Sequence, residues 1–147
     1  MSAMDLPFKR LDPAAELPGA QHPGDAGLDL RSTVNVEVGP GERAFVATGL
    51  AVAIPEGHAG LVLPRSGLAA KYGLTLANAP GLIDAGYRGE VICAVVNLDP
   101  SESVRIAKGD RIAQLVIVAV PPVAPRWAEE LPDSSRGEGG FGSTGRS

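Results

Sequence analysis

Val34-Asn35-Val36-Glu37-Val38 alternates apolar and polar residues without a break, the period of a strand with one packed face and one wet face. A second run, Glu90-Val91-Ile92-Cys93-Ala94-Val95-Val96-Asn97, is almost wholly apolar and reads as a strand buried on both sides. Working outward, similar short runs recur between glycines and prolines at 28–31, 43–48, 50–54, 60–63, 74–77, 103–107 and 111–118. Only residues 66–72 read as helix, about two turns. Many short strands without helical crossovers predict an all-β fold, a jelly-roll-like sandwich or barrel with one short helix.

From Pro121 the character changes. Pro121-Pro122-Val123-Ala124-Pro125 is extended and cannot join a central strand, and 134–147 is rich in Gly and Ser. The expected organisation is a β core over 1–120 and a C-terminal arm over 121–147, a Pro-rich linker followed by a flexible Gly-rich lid. Trp127 is expected to anchor that arm by packing on a neighbour.

The bulk properties narrow the function classes. A chain of 147 residues suits one domain with a real core. Its net charge of −4 speaks against a nucleic-acid coat, which wants a basic surface, so an anionic substrate would need locally gathered cations. The single cysteine, Cys93, excludes an internal disulfide and suits a reducing cytoplasm. Its apolar run marks it as a small buried hydrophobe rather than a nucleophile. The first eleven residues lack the apolar stretch of a secretory leader. The longest apolar run, 115–124, is cut by Pro121 and Pro122 and is too short for a bilayer. The expectation is a soluble cytoplasmic protein with neither membrane nor nucleic-acid partner.

Chemistry concentrates in a few segments. Gly81-Leu82-Ile83-Asp84-Ala85-Gly86-Tyr87-Arg88-Gly89-Glu90 holds two carboxylates, a ring and a guanidinium between glycines. Asp84 follows an apolar pair, which predicts a carboxylate at the edge of the core, placed to act as a general base. Pro64-Arg65-Ser66-Gly67-Leu68-Ala69 sits where a strand gives way to the short helix. Two readings stand open there: a phosphate site made of helix N–H groups and Arg65, or a Ser66 N-cap beside a solvated arginine. Asp29 either faces a metal or caps a turn. Gln114, a polar amide in an apolar strand, needs a partner, either backbone or ligand. His22 and His58 lack metal-ligand spacing and read as surface residues. Residues 137–144 have the glycine spacing of a phosphate-binding P-loop, but Ser143 stands where the lysine belongs and no helix can follow. Such a tail is either disordered or folds over a ligand, with backbone N–H groups on phosphate and Phe141 on a base.

Together these segments resemble the trimeric dUTPase family, whose five motifs occur in order: Ala26-Gly27-Leu28-Asp29-Leu30, Pro64 to Ala69, Gly81 to Glu90, Arg111-Ile112-Ala113-Gln114-Leu115, and the segment 136–145. The resemblance implies a jelly-roll homotrimer with shared active sites and Mg²⁺-dependent cleavage of dUTP to dUMP and pyrophosphate. That activity would limit uracil incorporation into DNA and supply dUMP for thymidylate synthesis. By the same resemblance Asp84 activates the water that attacks the α-phosphorus, and Asp29 holds hydrated Mg²⁺ through its waters. Arg65, Ser66, Gly67 and Gln114 match phosphate-binding positions. Tyr87 matches the ring under the deoxyribose, while Asn78, Gly81 and Ile83 fall in the uracil-reading loop. Arg136 matches the arm arginine for the γ-phosphate, and Phe141, with Gly142 and Ser143 beside it, the ring that covers uracil. Two rivals are a dCTP deaminase of the same fold, which would release ammonia from dCTP, and a non-catalytic nucleotide-binding trimer, which would lack turnover.

Overall fold

The computed structural model describes residues 2–146, so residues 1 and 147, at the outer ends of the expected core and arm, lie outside the described residues. The elements are β1 (Phe8–Arg10), β2 (Leu28–Arg31), β3 (Val36–Val38), β4 (Arg43–Ala47), β5 (Leu50–Val52), β6 (His58–Leu63), α1 (Ser66–Tyr72), β7 (Leu74–Leu76), β8 (Gly81–Ile83), β9 (Ile92–Asn97), β10 (Val104–Ile106) and β11 (Arg111–Ala119). All pairings are antiparallel. A four-stranded sheet runs β2-β11-β6-β8 and a three-stranded sheet runs β4-β9-β7, with the small pairs β1-β5 and β10-β3 beside them. This is the expected all-β architecture with one short helix.

The core lies between the sheets. Leu30 of β2, Val46 of β4, Val95 of β9, and Ala113 and Leu115 of β11 have no solvent exposure. Each such Leu or Val contributes about 1.5–3 kcal/mol on burial. Asn97 is the largest polar exception. Its Nδ2 donates to Val38 O (3.0 Å) and Glu102 O (2.8 Å), and its Oδ1 accepts the Asp99 N–H (2.9 Å). A buried amide so fully paired carries no desolvation debt.

Several sequence expectations change. The run 90–97 is not buried on both sides: within β9, Cys93, Val95 and Asn97 point inward, while Ile92 is 50% exposed. Successive strand side chains face opposite ways, and the described residues cover the outer face only in part, leaving Ala94 and Val96 half-buried. Strand β3 starts at Val36 because the Ser32 hydroxyl bonds both the N–H and the carbonyl of Val34, holding that residue in a turn. Strands β1 and β8 were absent from the sequence reading. Each has three residues, too few to display alternation, and exists through its ladder to β5 or β6. His58 opens β6 and is half-buried rather than a simple surface residue, with Nδ1 2.9 Å from Glu56 O.

Beyond β11 the chain carries neither strand nor helix through residue 146, and of 121–146 all but Gly139 are exposed. Trp127, expected to pack, is 100% exposed on this chain. Among the described residues no helix is long and apolar enough to cross a membrane.

Candidate active site

Strand β8 delivers the first part of the site. Its ladder to β6 seats Gly81 opposite Val62 and Ile83 opposite Gly60, so Ile83 is buried and Asp84 emerges exposed just past the strand end. The chain then turns: the Tyr87 N–H donates to Asp84 O (3.1 Å), and the Arg88 guanidinium donates to Ala85 O (2.7 Å) and Tyr87 O (3.1 Å). The Tyr87 hydroxyl donates to Glu90 O at 2.8 Å. Gly89 is required beneath that ring, since a Cβ there would lie 2.5 Å from the Tyr87 oxygen. Asn78 meets Gly81 on the other side, across a cis Ala79-Pro80 peptide.

These residues enclose a cavity of about 230 Å³ whose lining includes Asn78, Gly81, Ile83, Asp84, Tyr87 and Cys93. It contains no lysine or arginine. Burial pushes the Cys93 thiol from 9.0 up to about 12, so the back wall is neutral and unreactive near neutral pH, as the sequence suggested. The cavity suits a neutral, flat group with hydrogen-bonding edges, and cannot by itself hold a polyanion.

The second part lies at the other edge of the same sheet. Asp29 on β2 is directly across from Gln114 on β11, which is across from Leu63 on β6. Asp29, with a side chain only 12% exposed, accepts from Gln21 Nε2 (2.7 Å) and stands 3.8 Å from Arg65 Nε and 3.7 Å from Arg111 Nη1. Gln114 donates to Pro64 O at 3.0 Å, which satisfies the backbone reading of its amide, and it also lines the pocket. A Cβ at Gly27 would collide with the Gln114 amide oxygen, so that side chain would have to move.

The N-cap expectation for Ser66 is overturned. Arg65 occupies the cap position, extended at φ −91° and ψ 126° and making no side-chain cap, and Ser66 is the first helical residue. Its hydroxyl is therefore not spent on the helix end. A Cβ at Gly67 would meet nothing within 4 Å. Asp29, Arg65, Ser66, Gly67 and Gln114 thus share a pocket of about 340 Å³ with Gln21 and Asp25. Arg65, the Ser66 hydroxyl and the open space over Gly67 stand there beside the carboxylates of Asp25 and Asp29, with Arg111 reaching Asp29 from β11.

A divalent metal fits here only indirectly. Among the described residues no three His, Cys, Asp or Glu side chains gather to hold one. Hard cations such as Mg²⁺ keep several waters and take one or two carboxylates together with substrate phosphates, which Asp29 can satisfy through water.

The two pockets share no lining residue. Asp29 and β8 are three strands apart, and the register from Leu63 to Ala59 adds four residues along the sheet. At about 4.8 Å per strand and about 3.4 Å per residue, Asp29 and Asp84 are roughly 20 Å apart. The remaining candidates, Arg136, Phe141, Gly142 and Ser143, line neither pocket. Arg136 Nε donates to Gly139 O (2.6 Å), and Phe141 is fully exposed.

Three contributors escaped the sequence reading. Gln21 and Arg111 reach Asp29 only through the fold, and Glu90, whose carboxylate accepts the Gly49 N–H at 3.1 Å, had no derived role. Arg111 alone left a signal, since it opens the strand that carries Gln114.

The dUTPase family model matches residues 14–145. The deoxyuridine 5'-triphosphate nucleotidohydrolase of Streptomyces avermitilis is 58% identical over 142 residues, 97% of this chain and 81% of that protein. That of Thermobifida fusca is 56% identical, over 94% of this chain and 77% of that protein. Among solved structures, the Staphylococcus bacteriophage 80alpha dUTPase with dUPNHPP superposes at a TM-score of 0.90 with 36% identity, covering 98% of this chain and 100% of that one. A variant of the dUTPase from phage phi11 of S. aureus, whose structure concerns the coordination of a structural Mg(II) ion, matches at a TM-score of 0.80 with 31% identity, over 86% and 98% of the two chains. By family match, identity and fold, the chain belongs to the dUTPase family.

Proposed function

We propose that this chain hydrolyses dUTP to dUMP and pyrophosphate at sites completed between copies of itself, in a cytoplasmic homotrimer. The observation that carries the reading is the complementary incompleteness of the two pockets. One has the carboxylates of Asp84 and Glu90, a ring and a largely apolar slot but no cation. The other has Arg65, Ser66, Gly67 and Gln114 for phosphate, and its two carboxylates are already engaged, Asp25 by the His22 N–H and Asp29 by Gln21, Arg65 and Arg111. With roughly 20 Å between Asp84 and Asp29 in one chain, a single water cannot serve both, whereas a second copy brings the two halves together.

In such a site uracil lies in the slot formed by Asn78, Gly81 and Ile83, where backbone and amide groups pair with its edge. Tyr87 packs under the deoxyribose and leaves no room for a 2′-hydroxyl. The triphosphate runs to the partner copy's cationic pocket. Asp84 takes a proton from the attacking water, which adds to the α-phosphorus as pyrophosphate departs. Asp29 would hold hydrated Mg²⁺ through its waters, and the ion would supply neutralisation of the triphosphate charge. The core over 1–120 carries these groups, and the arm over 121–147 closes on the site. Arg136 then meets the γ-phosphate, Phe141 covers the base, and Gly142 and Ser143 offer N–H groups to phosphate.

Subunit mixing tests the reading. Asp84→Asn alone is expected to lose turnover while still binding dUTP, and Arg65→Ala alone to lose tight phosphate binding. Refolded together, the two inactive chains should recover pyrophosphate release at about a quarter of the sites, because random assembly pairs intact halves. No recovery in correctly assembled mixtures would refute sharing, and turnover by Asp84→Asn would remove the general base.

A further inference from the structure

Glu90 stands between Tyr87 and the core. Its Oε2 accepts the Gly49 N–H at 3.1 Å, and its carbonyl accepts the Tyr87 hydroxyl at 2.8 Å. The next residue is held as firmly: Val91 O accepts the Thr48 hydroxyl (2.5 Å), and the Val91 N–H donates to Leu50 O (2.7 Å). Gly49 is itself fixed. It sits at φ +69°, where side chains are strained, and a Cβ there would lie 2.8 Å from Asp12 Cβ and 3.0 Å from Ala15 Cβ. Its carbonyl accepts the Leu11 N–H at 2.7 Å. A continuous run of contacts therefore leads from the N-terminal segment through Gly49 to Glu90, and from Glu90 to the phenol ring.

We propose that Glu90 is a positioning residue for Tyr87 and, through that ring, a determinant of deoxyribose over ribose selectivity. The inference rests on the reading that Tyr87 packs under the sugar. Tyr87 is 46% exposed and is held at its far end by the Glu90 carbonyl, so the ring's height over the cavity follows where residue 90 sits. The carboxylate fixes residue 90 from the core side by a charge-assisted bond. Without it, Gly49 keeps a buried N–H with no acceptor, and residue 90 is tied only through its neighbour.

The test compares kcat/KM for dUTP and UTP, together with Tm, in wild type, Glu90→Ala, Glu90→Gln and Tyr87→Ala. Glu90→Ala should lower the dUTP-to-UTP ratio about tenfold, the scale on which a pocket tells small groups apart, chiefly by lowering KM for UTP as the displaced ring makes room for the 2′-hydroxyl. Glu90→Gln, whose amide oxygen still accepts from Gly49, should restore most of the ratio. An unchanged ratio in folded Glu90→Ala, or no rescue by Gln, overturns the proposal. If Glu90→Ala does not fold, Tyr87→Phe cuts the same run at its outer end, and an unchanged ratio there overturns it too. Tyr87→Ala separates the two levels. A ratio it leaves intact removes the sugar reading itself, whereas a ratio lost in Tyr87→Ala but kept in Glu90→Ala removes only the role of Glu90.

Discussion

The hairpin 81–90 and the arm 121–146 contain nearly the same ingredients and have opposite fates. Each carries several glycines and an arginine bonded to a carbonyl three residues away with an aromatic ring close by in sequence: Arg88 with Tyr87, Arg136 with Phe141. The hairpin is organised because β8 forms a ladder with β6 and because Glu90 and Val91 are bonded to the 48–50 turn. The arm's hydrogen bonds are local, as in Gly137 N–H to Ser134 O and Ser143 N–H to Gly140 O. Glycine content does not decide order. Order comes from ties to residues distant in sequence, which repay the backbone entropy that glycine makes large.

The strongest way to break this contrast is to remove the arm. Truncation after Ser135 should lower kcat/KM for dUTP on the order of 10²-fold, as lost donors and a wetter site do, while Tm stays put because the deleted residues are exposed. Calorimetry and pyrophosphate release together check it, and an unaffected rate would make the arm dispensable. A paired substitution sharpens the contrast further. Gly89→Ala pushes a Cβ into the Tyr87 ring and should cost about tenfold in kcat/KM. Gly140→Ala, where a Cβ meets nothing within 4 Å, should be nearly silent. Equal effects at both positions would mean the ring is not held as described.

The smallest expected effect concerns the wall behind the hairpin. Burial raises the Cys93 thiol from 9.0 to about 12. A raised folded value means the folded state keeps its proton longer, so the associated stability is fully present below about pH 9 and drains as pH rises toward about 12. Denaturant unfolding at about pH 10 should therefore show on the order of 1 kcal/mol less stability than at about pH 8 from this group, a loss that Cys93→Ala would not show. An identical pH slope in both proteins would mean the thiol is not the source.

How much could be read in advance follows the same division between local and distant causes. Helix α1 was legible to the residue: it ends at Gly73, whose φ of 71° is the left-handed cap a glycine supplies, with Lys71 in the last turn. The alternation at 36–38 and the apolar run of β9 were legible too, since side-chain period is a local property. Strand β8 was not, because Gly81-Leu82-Ile83 becomes a strand only against β6. In the site, the motif residues stood out, but the pairing of Asp29 with Arg65 and Arg111, 36 and 82 residues further along the chain, depends on the registers that join β2, β11 and β6. No pattern within one segment encodes that. The burial of β9 on both faces was read from composition, and composition cannot say whether the second cover comes from the same chain.

Asn97 shows what full satisfaction of a buried group implies for change over time. Three backbone groups, from Val38, Asp99 and Glu102, depend on both ends of one amide. Aspartate would present a buried charge with no donor for two carbonyls, and leucine would orphan all three partners at about 1–3 kcal/mol each. Position 97 therefore has almost no mutational tolerance although it lines neither pocket, and a neutral path through sequence space must leave this asparagine in place.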